Sequence, residues 1–167
     1  QSQGWNILGI VCDGRRGLVS SFGNIPVQFC QFHQVAIVIR YITKKPKLQA
    51  SKELKSIVLQ LKSSTEKDFS KLLNNWYDKW IEFLNEKSFN PEKNKSQYTH
   101  KRLRSAYGSL KRNLKYLFTY QKHPDLNIPN TTNSIEGMFS GMKKKLRNHA
   151  GLKESRKFKI LDYLLSK

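Results

Sequence analysis

WNILGIVCDGRRGLVSSFGNIPVQFCQFH, Trp5 to His33, decides the fold. Its opening, WNILGIVCDG, is an apolar run rich in branched residues that stops at Asp13-Gly14. That is the pattern of a strand buried on both faces and ended by a turn. GLVSSF, Gly17 to Phe22, predicts a short helix, broken by Gly23-Asn24 and Pro26. VQFCQFH, Val27 to His33, predicts a second strand, with Val27, Phe29 and Gln31 on one side and Gln28, Cys30 and Phe32 on the other. Strand, short helix and strand within about thirty residues imply a right-handed crossover, and so two neighbouring parallel strands.

From Gln34 the period turns helical and stays so for about a hundred residues. Leu72, Leu73, Trp76, Trp80 and Phe83 share one helical face, and Leu103, Tyr107, Leu110, Leu114 and Leu117 share another. Trp76 and Trp80 read as core of this block. SFNPEKNKSQ, Ser88 to Gln97, reads as a polar break between these helices, and HPDLNIPN, His123 to Asn130, as a proline-bearing separator. The expected fold is α/β, mostly α by residue count. Residues 1–33 give two parallel strands and a short helix, 34–129 an all-helical insertion, and 130–167 closing helices.

The chain has 167 residues, enough for a real core. Lys and Arg number 31 against 12 Asp and Glu, a formal charge of +19. Such an excess implies a polyanionic partner, most commonly nucleic acid. Hydrophobic content of 38% excludes a disordered basic tail. Two cysteines, Cys12 and Cys30, make no disulfide framework and suit a reducing cytoplasm or nucleoid. No apolar run approaches the roughly 20 residues of a membrane span, and no signal peptide is visible. The chain opens on Gln1 and runs almost at once into a strand, so it reads as a piece of a longer protein.

A second stretch, NTTNSIEGMFSGMKKKLRNHAGL from Asn130 to Leu152, carries the chemistry. Ile135, Phe139, Met142 and Leu146 form an apolar helical stripe, and Glu136, Ser140, Lys143 and Arg147 form a polar line one step round. Asn133 can cap this helix, placing Glu136 at its third position. Asn-x-x-Glu is then a capping box, stabilising by about 1 kcal/mol with no chemistry needed. Asp13 admits a similar structural account as the Asp of an Asp-Gly turn. It also ends a buried parallel strand, the edge where α/β sheets gather catalytic groups. Two acids so placed, in so cationic a chain, suit a divalent metal: Mg²⁺ takes one or two carboxylates, with phosphates and water completing its shell.

Asp-Gly-x-x-Gly-Leu at Asp13, Cys-x-x-His at Cys30 and His33, and Thr-Thr-Asn-x-x-Glu ending at Glu136 occur in that order. Together they resemble the Mutator-like transposases of bacterial insertion sequences, over most of Gly9 to Leu152. The resemblance implies a ribonuclease H-like core with an Asp-Asp-Glu metal triad and a helical insertion before the Glu. It makes Asp13 the second catalytic Asp, Glu136 the catalytic Glu, and both of them ligands of Mg²⁺ or Mn²⁺. The family's first Asp lies on an earlier strand that this chain does not contain, so these residues alone should not cut DNA. DNA, as transposon ends and target, is the implied partner, and a homo-oligomer the implied assembly. A resolvase-like nuclease is a further reading of the same fold.

Cys30 and His33 lack a second pair at finger-like spacing, so they read as a motif near the site more readily than as a zinc centre. Arg102, Arg104, Lys111, Arg112 and Lys115 fall between Asn94 and Lys122, where no acid occurs. Lys143, Lys144, Lys145 and Arg147 follow Glu136. A charge run is usually a solvated face, but two runs flanking one candidate ligand read as a track for a DNA backbone. The rival reading, from a different class, is a non-catalytic basic nucleic-acid-binding protein whose acids are caps.

Overall fold

The computed structural model describes residue 4 and residues 6–14, 17–91 and 94–166. Trp5 of the first expected strand and Arg15-Arg16 of the Asp-Gly-x-x-Gly-Leu motif lie outside the described residues. The chain divides into two compact units, residues 1–131 and 132–167.

The first unit opens with β1 (Ile10–Cys12), α1 (Leu18–Ser21) and β2 (Val27–Phe29). The two strands pair in parallel, Ile10 against Val27 and Cys12 against Phe29. The crossover punctuation is real: Gly17 at φ 89° caps α1, and Gly23 at φ 58° follows it. Gly14, at φ 79°, is required twice over, because a Cβ there would meet the Phe29 ring at 3.0 Å.

Two expectations are corrected here. β1 spans three residues and is not buried on both faces; its residues are half-buried, and Ile7 and Leu8 before it are exposed. β2 ends at Phe29, and α2 (Gln31–Ile42) begins where the strand was expected to continue. The physical reason lies in the buried set of α2, Gln31, Gln34, Val38 and Ile42, which recurs at helical and not strand spacing. Polar side chains occupy the first two of those positions, which hid the stripe.

The helical block continues with α3 (Gln49–Leu59), α4 (Glu66–Asn85), α5 (Lys101–Leu117) and the short α6 (Thr119–Lys122). α2 packs on α5 and α3, and α4 on α3 and α5. Leu54, Val58, Leu61, Phe69, Leu73, Leu110, Leu117 and Phe118 are fully buried at the centre. α4 starts on a Thr65 cap whose Oγ1 accepts the Asp68 amide at 3.2 Å and donates to the Asp68 carboxylate at 2.8 Å, worth about 1 kcal/mol. Trp76 is core, donating its indole N–H to the Ala50 carbonyl at 3.0 Å.

The block is not wholly helical. The expected polar break contains an antiparallel hairpin, β3 (Lys87–Asn90) and β4 (Lys95–Tyr98), and between its strands Asn94, at φ 45°, donates its N–H to the Pro91 carbonyl at 3.3 Å. Most of its residues are exposed, so no apolar alternation marks it in the sequence.

The second unit is two helices that touch, α7 (Asn133–Asn148) and α8 (Glu154–Leu165). Of the expected α7 stripe, Met142 is buried and Leu146 half-buried, while Ile135 and Phe139 are each 48% exposed. A pair of helices offers too little facing surface to bury a full stripe.

Candidate functional site

β1 delivers Asp13 as the residue directly after its last paired position, and the side chain is exposed. Cys12, just before it, has its thiol pushed up from the ordinary value, chiefly by burial, with the Asp13 charge adding to the effect. On the neighbouring strand end, two successive backbone amides point to different partners. Cys30 N–H donates to the Cys12 carbonyl at 2.8 Å, and Gln31 N–H donates to the Asn130 carbonyl at 2.9 Å. Asn130 Nδ2 returns a bond to Gln31 Oε1 at 3.2 Å. The β2–α2 junction thus pins both the peptide preceding Asp13 and Asn130, all within the first unit.

Cys30 sits at the N-cap of α2 and is buried; His33, half-buried, lies in the first turn with its ring edge-on to Phe32. The Cys-x-x-His pair therefore spans the strand-to-helix junction. Among the described residues, no group of three or more His, Cys, Asp and Glu side chains could hold a metal ion. The donor chemistry of Asp13 and Glu136 suits Mg²⁺ or Mn²⁺, which accept carboxylate oxygen. Asp13 belongs to the first unit and Glu136 to the second.

Glu136 lies in the first turn of α7 and is exposed. The N-cap is Thr132, one residue earlier than the expected Asn133. The Thr132 hydroxyl donates to the Glu136 carboxylate, and the Glu136 amide bonds to the Thr132 carbonyl at 3.0 Å. A hydroxyl reaches one turn forward to this acid, so the Asn133 box is replaced by a Thr132–Glu136 pair. Glu136, Ser140, Lys143 and Arg147 do share one exposed line of α7, and Lys144 and Lys145 are exposed beside it.

The cations of α5 have different jobs. Arg104 is half-buried, bonding the Leu84 carbonyl at 3.0 Å and Asn85 Oδ1 at 2.8 Å with its guanidinium 3.7 Å from the Tyr98 ring centre. Arg102 donates to the Arg40 carbonyl at 2.7 Å. Lys111, Arg112 and Lys115 are exposed; Lys111 reaches Asn74, and Lys115 lies over the Tyr116 ring. The sequence reading missed Gln31 and Asn130 as a bonded pair. Their only signal was an Asn in a loop and a Gln next to a Cys, both common on surfaces.

Comparison with protein-family models, with curated proteins and with solved structures gave no match. No helix among the described residues is long and apolar enough to cross a membrane.

Proposed function

We propose that this chain is a catalytic part of a DNA transposase with a ribonuclease H-like core, cleaving and joining DNA strands in the presence of Mg²⁺ or Mn²⁺. The observation that carries the reading is the place of Asp13, directly after the last paired residue of a parallel strand, the edge where α/β sheets gather catalytic groups. The ordered motifs and the charge of +19 support the same reading.

A bound divalent ion supplies the activation of a water or 3′-hydroxyl and the stabilisation of the leaving oxygen. The residues do the rest. Asp13 and Glu136 offer carboxylate oxygens for the ion, and Lys143 and Arg147 continue the Glu136 line of α7 to neutralise backbone phosphates. Lys111, Arg112 and Lys115 extend the phosphate contacts on α5. By the resemblance, a third acid belongs to an earlier strand.

The Thr132–Glu136 bond favours a second reading, a basic nucleic-acid-binding protein in which Glu136 only secures the start of α7. Paramagnetic broadening by Mn²⁺ separates the two on DNA-bound protein. The catalytic reading expects amides around Asp13 and Glu136 to broaden together at low Mn²⁺, and Asp13→Asn to abolish both effects while DNA affinity stays within about twofold. Broadening at neither acid, or at each independently of the other, supports the second reading and sinks the first.

A further inference from the structure

The helical block holds a cleft of about 480 Å³ lined by no acidic residue. Two helix N-termini open onto it. Leu48 and Ser51 bring the start of α3, and His100 to Leu103 bring the start of α5. Neither helix has a side-chain cap, and neither has an acid in its first turn. The first backbone N–H groups of a helix have no partner within it, and the dipole favours an anion there. α5 instead begins with Lys101 and Arg102, cations at the positive end, an arrangement that an anion in the cleft would offset.

Three further features point into the same space. Ser51 is 5% exposed and lines the cleft, yet its hydroxyl forms no hydrogen bond to any described residue. Its oxygen is not shut off from solvent, so a ligand oxygen entering the cleft takes the place of water there. Lys45 and Lys47, on the rim, form no hydrogen bond or ion pair among the described residues. The loop that carries them leaves α2 through Thr43 at φ 73° and ψ 163°, a conformation almost confined to glycine and kept where surroundings impose it.

We infer that this cleft binds a phosphate group, held by the N-termini of α3 and α5, the Ser51 hydroxyl and the Lys45 and Lys47 ammoniums. The phosphate has two sources, a nucleic-acid strand or a free nucleotide. Apolar Ile42, Leu48 and Leu103 with Tyr41 at the margin leave a surface for the attached base. The site is independent of Asp13 and Glu136, and it deepens the transposase reading only if the phosphate belongs to a strand.

The test is an amide-resolved NMR titration of the full chain at fixed ionic strength, without divalent metal. Inorganic phosphate, against chloride, should shift the amides of Gln49 to Ser51 and Lys101 to Leu103 saturably. The double variant Lys45→Ala/Lys47→Ala should bind about tenfold more weakly, and Ser51→Ala about threefold. A 5′-phosphorylated single-stranded oligonucleotide that competes with phosphate assigns the cleft to a strand. A mononucleotide that competes where the oligonucleotide does not assigns it to a free nucleotide. No saturable shift with any of the three probes, or equal binding by the folded double-lysine variant, overturns the inference. An oligonucleotide that binds undiminished to that variant overturns the cleft and leaves the transposase reading standing. Phosphate saturation in a chain with no affinity for DNA does the reverse.

Discussion

Gln31 and Asn130 hold each other twice, through the Gln31 amide on the Asn130 carbonyl at 2.9 Å and the Asn130 side-chain amide on Gln31 Oε1 at 3.2 Å. Gln31 is buried, and its Nε2 also donates to the Leu117 carbonyl at 2.9 Å. One side chain therefore joins the start of α2, the end of α5 and the segment before α7. Asn130→Ala removes the returned bond and leaves the backbone bond in place. It should cost about 1 kcal/mol in urea denaturation.

Gln28 makes a denser set of bonds. Fully buried in β2, its Nε2 donates to the Phe29 and Leu117 carbonyls at 2.7 and 2.9 Å, and its Oε1 accepts the Tyr120 amide at 3.0 Å. These bonds secure the helical block to the strand pair. Gln28→Leu keeps the volume but orphans the Tyr120 N–H, with an expected loss of about 1–3 kcal/mol in the midpoint of chemical denaturation. A loss near zero would mean that water reaches that N–H.

The sequence exposed those elements whose signal is local. Glycines at 14, 17 and 23 with Pro26 announced the strand–helix–strand unit, and the spacing of Leu103, Leu110 and Leu117 announced α5. It hid what depends on distant partners. Gln28 and Gln31 look like solvent-facing positions, and donors and acceptors 86 to 99 residues away make their burial tolerable. The β3–β4 hairpin lacks a buried face and so lacks an alternating pattern. At the candidate site, the chemical types of Asp13 and Glu136 were legible, because few acids occur in so basic a chain. The cap was misplaced by one residue because Thr132 and Asn133 are both good caps, and the choice rests on a bond to Glu136 that spacing does not specify.

Not all cations of the basic runs should act alike on DNA. Lys143 is exposed, so Lys143→Ala should leave stability within about 0.5 kcal/mol. If the residue meets a phosphate, the variant lowers the slope of log affinity against log salt by about 0.9. Arg104 is engaged with Leu84, Asn85 and Tyr98. Arg104→Ala should destabilise by about 1–3 kcal/mol and leave the salt slope unchanged. Anisotropy titrations over a range of salt, paired with denaturation, check both; a reduced slope for Arg104→Ala would reassign it to the DNA track.

Glu53 gives a pH-dependent handle on the helical block. Its carboxyl is held below the ordinary value of 4.5, first by the Trp80 indole donating at 2.8 Å and next by Lys79 at 2.9 Å. A carboxyl lowered in the folded state stabilises fully above the unfolded value, and the contribution disappears as pH falls through the folded one. The group is solvent-accessible, so the effect is small, under about 1 kcal/mol. Glu53→Gln keeps an acceptor for the indole and loses the charge. Its deficit in Tm relative to wild type should be present at about pH 6 and shrink as the pH falls below the ordinary carboxyl value of 4.5. A deficit that stays constant across that range would show that packing of Trp80 and not the ionised carboxylate is responsible.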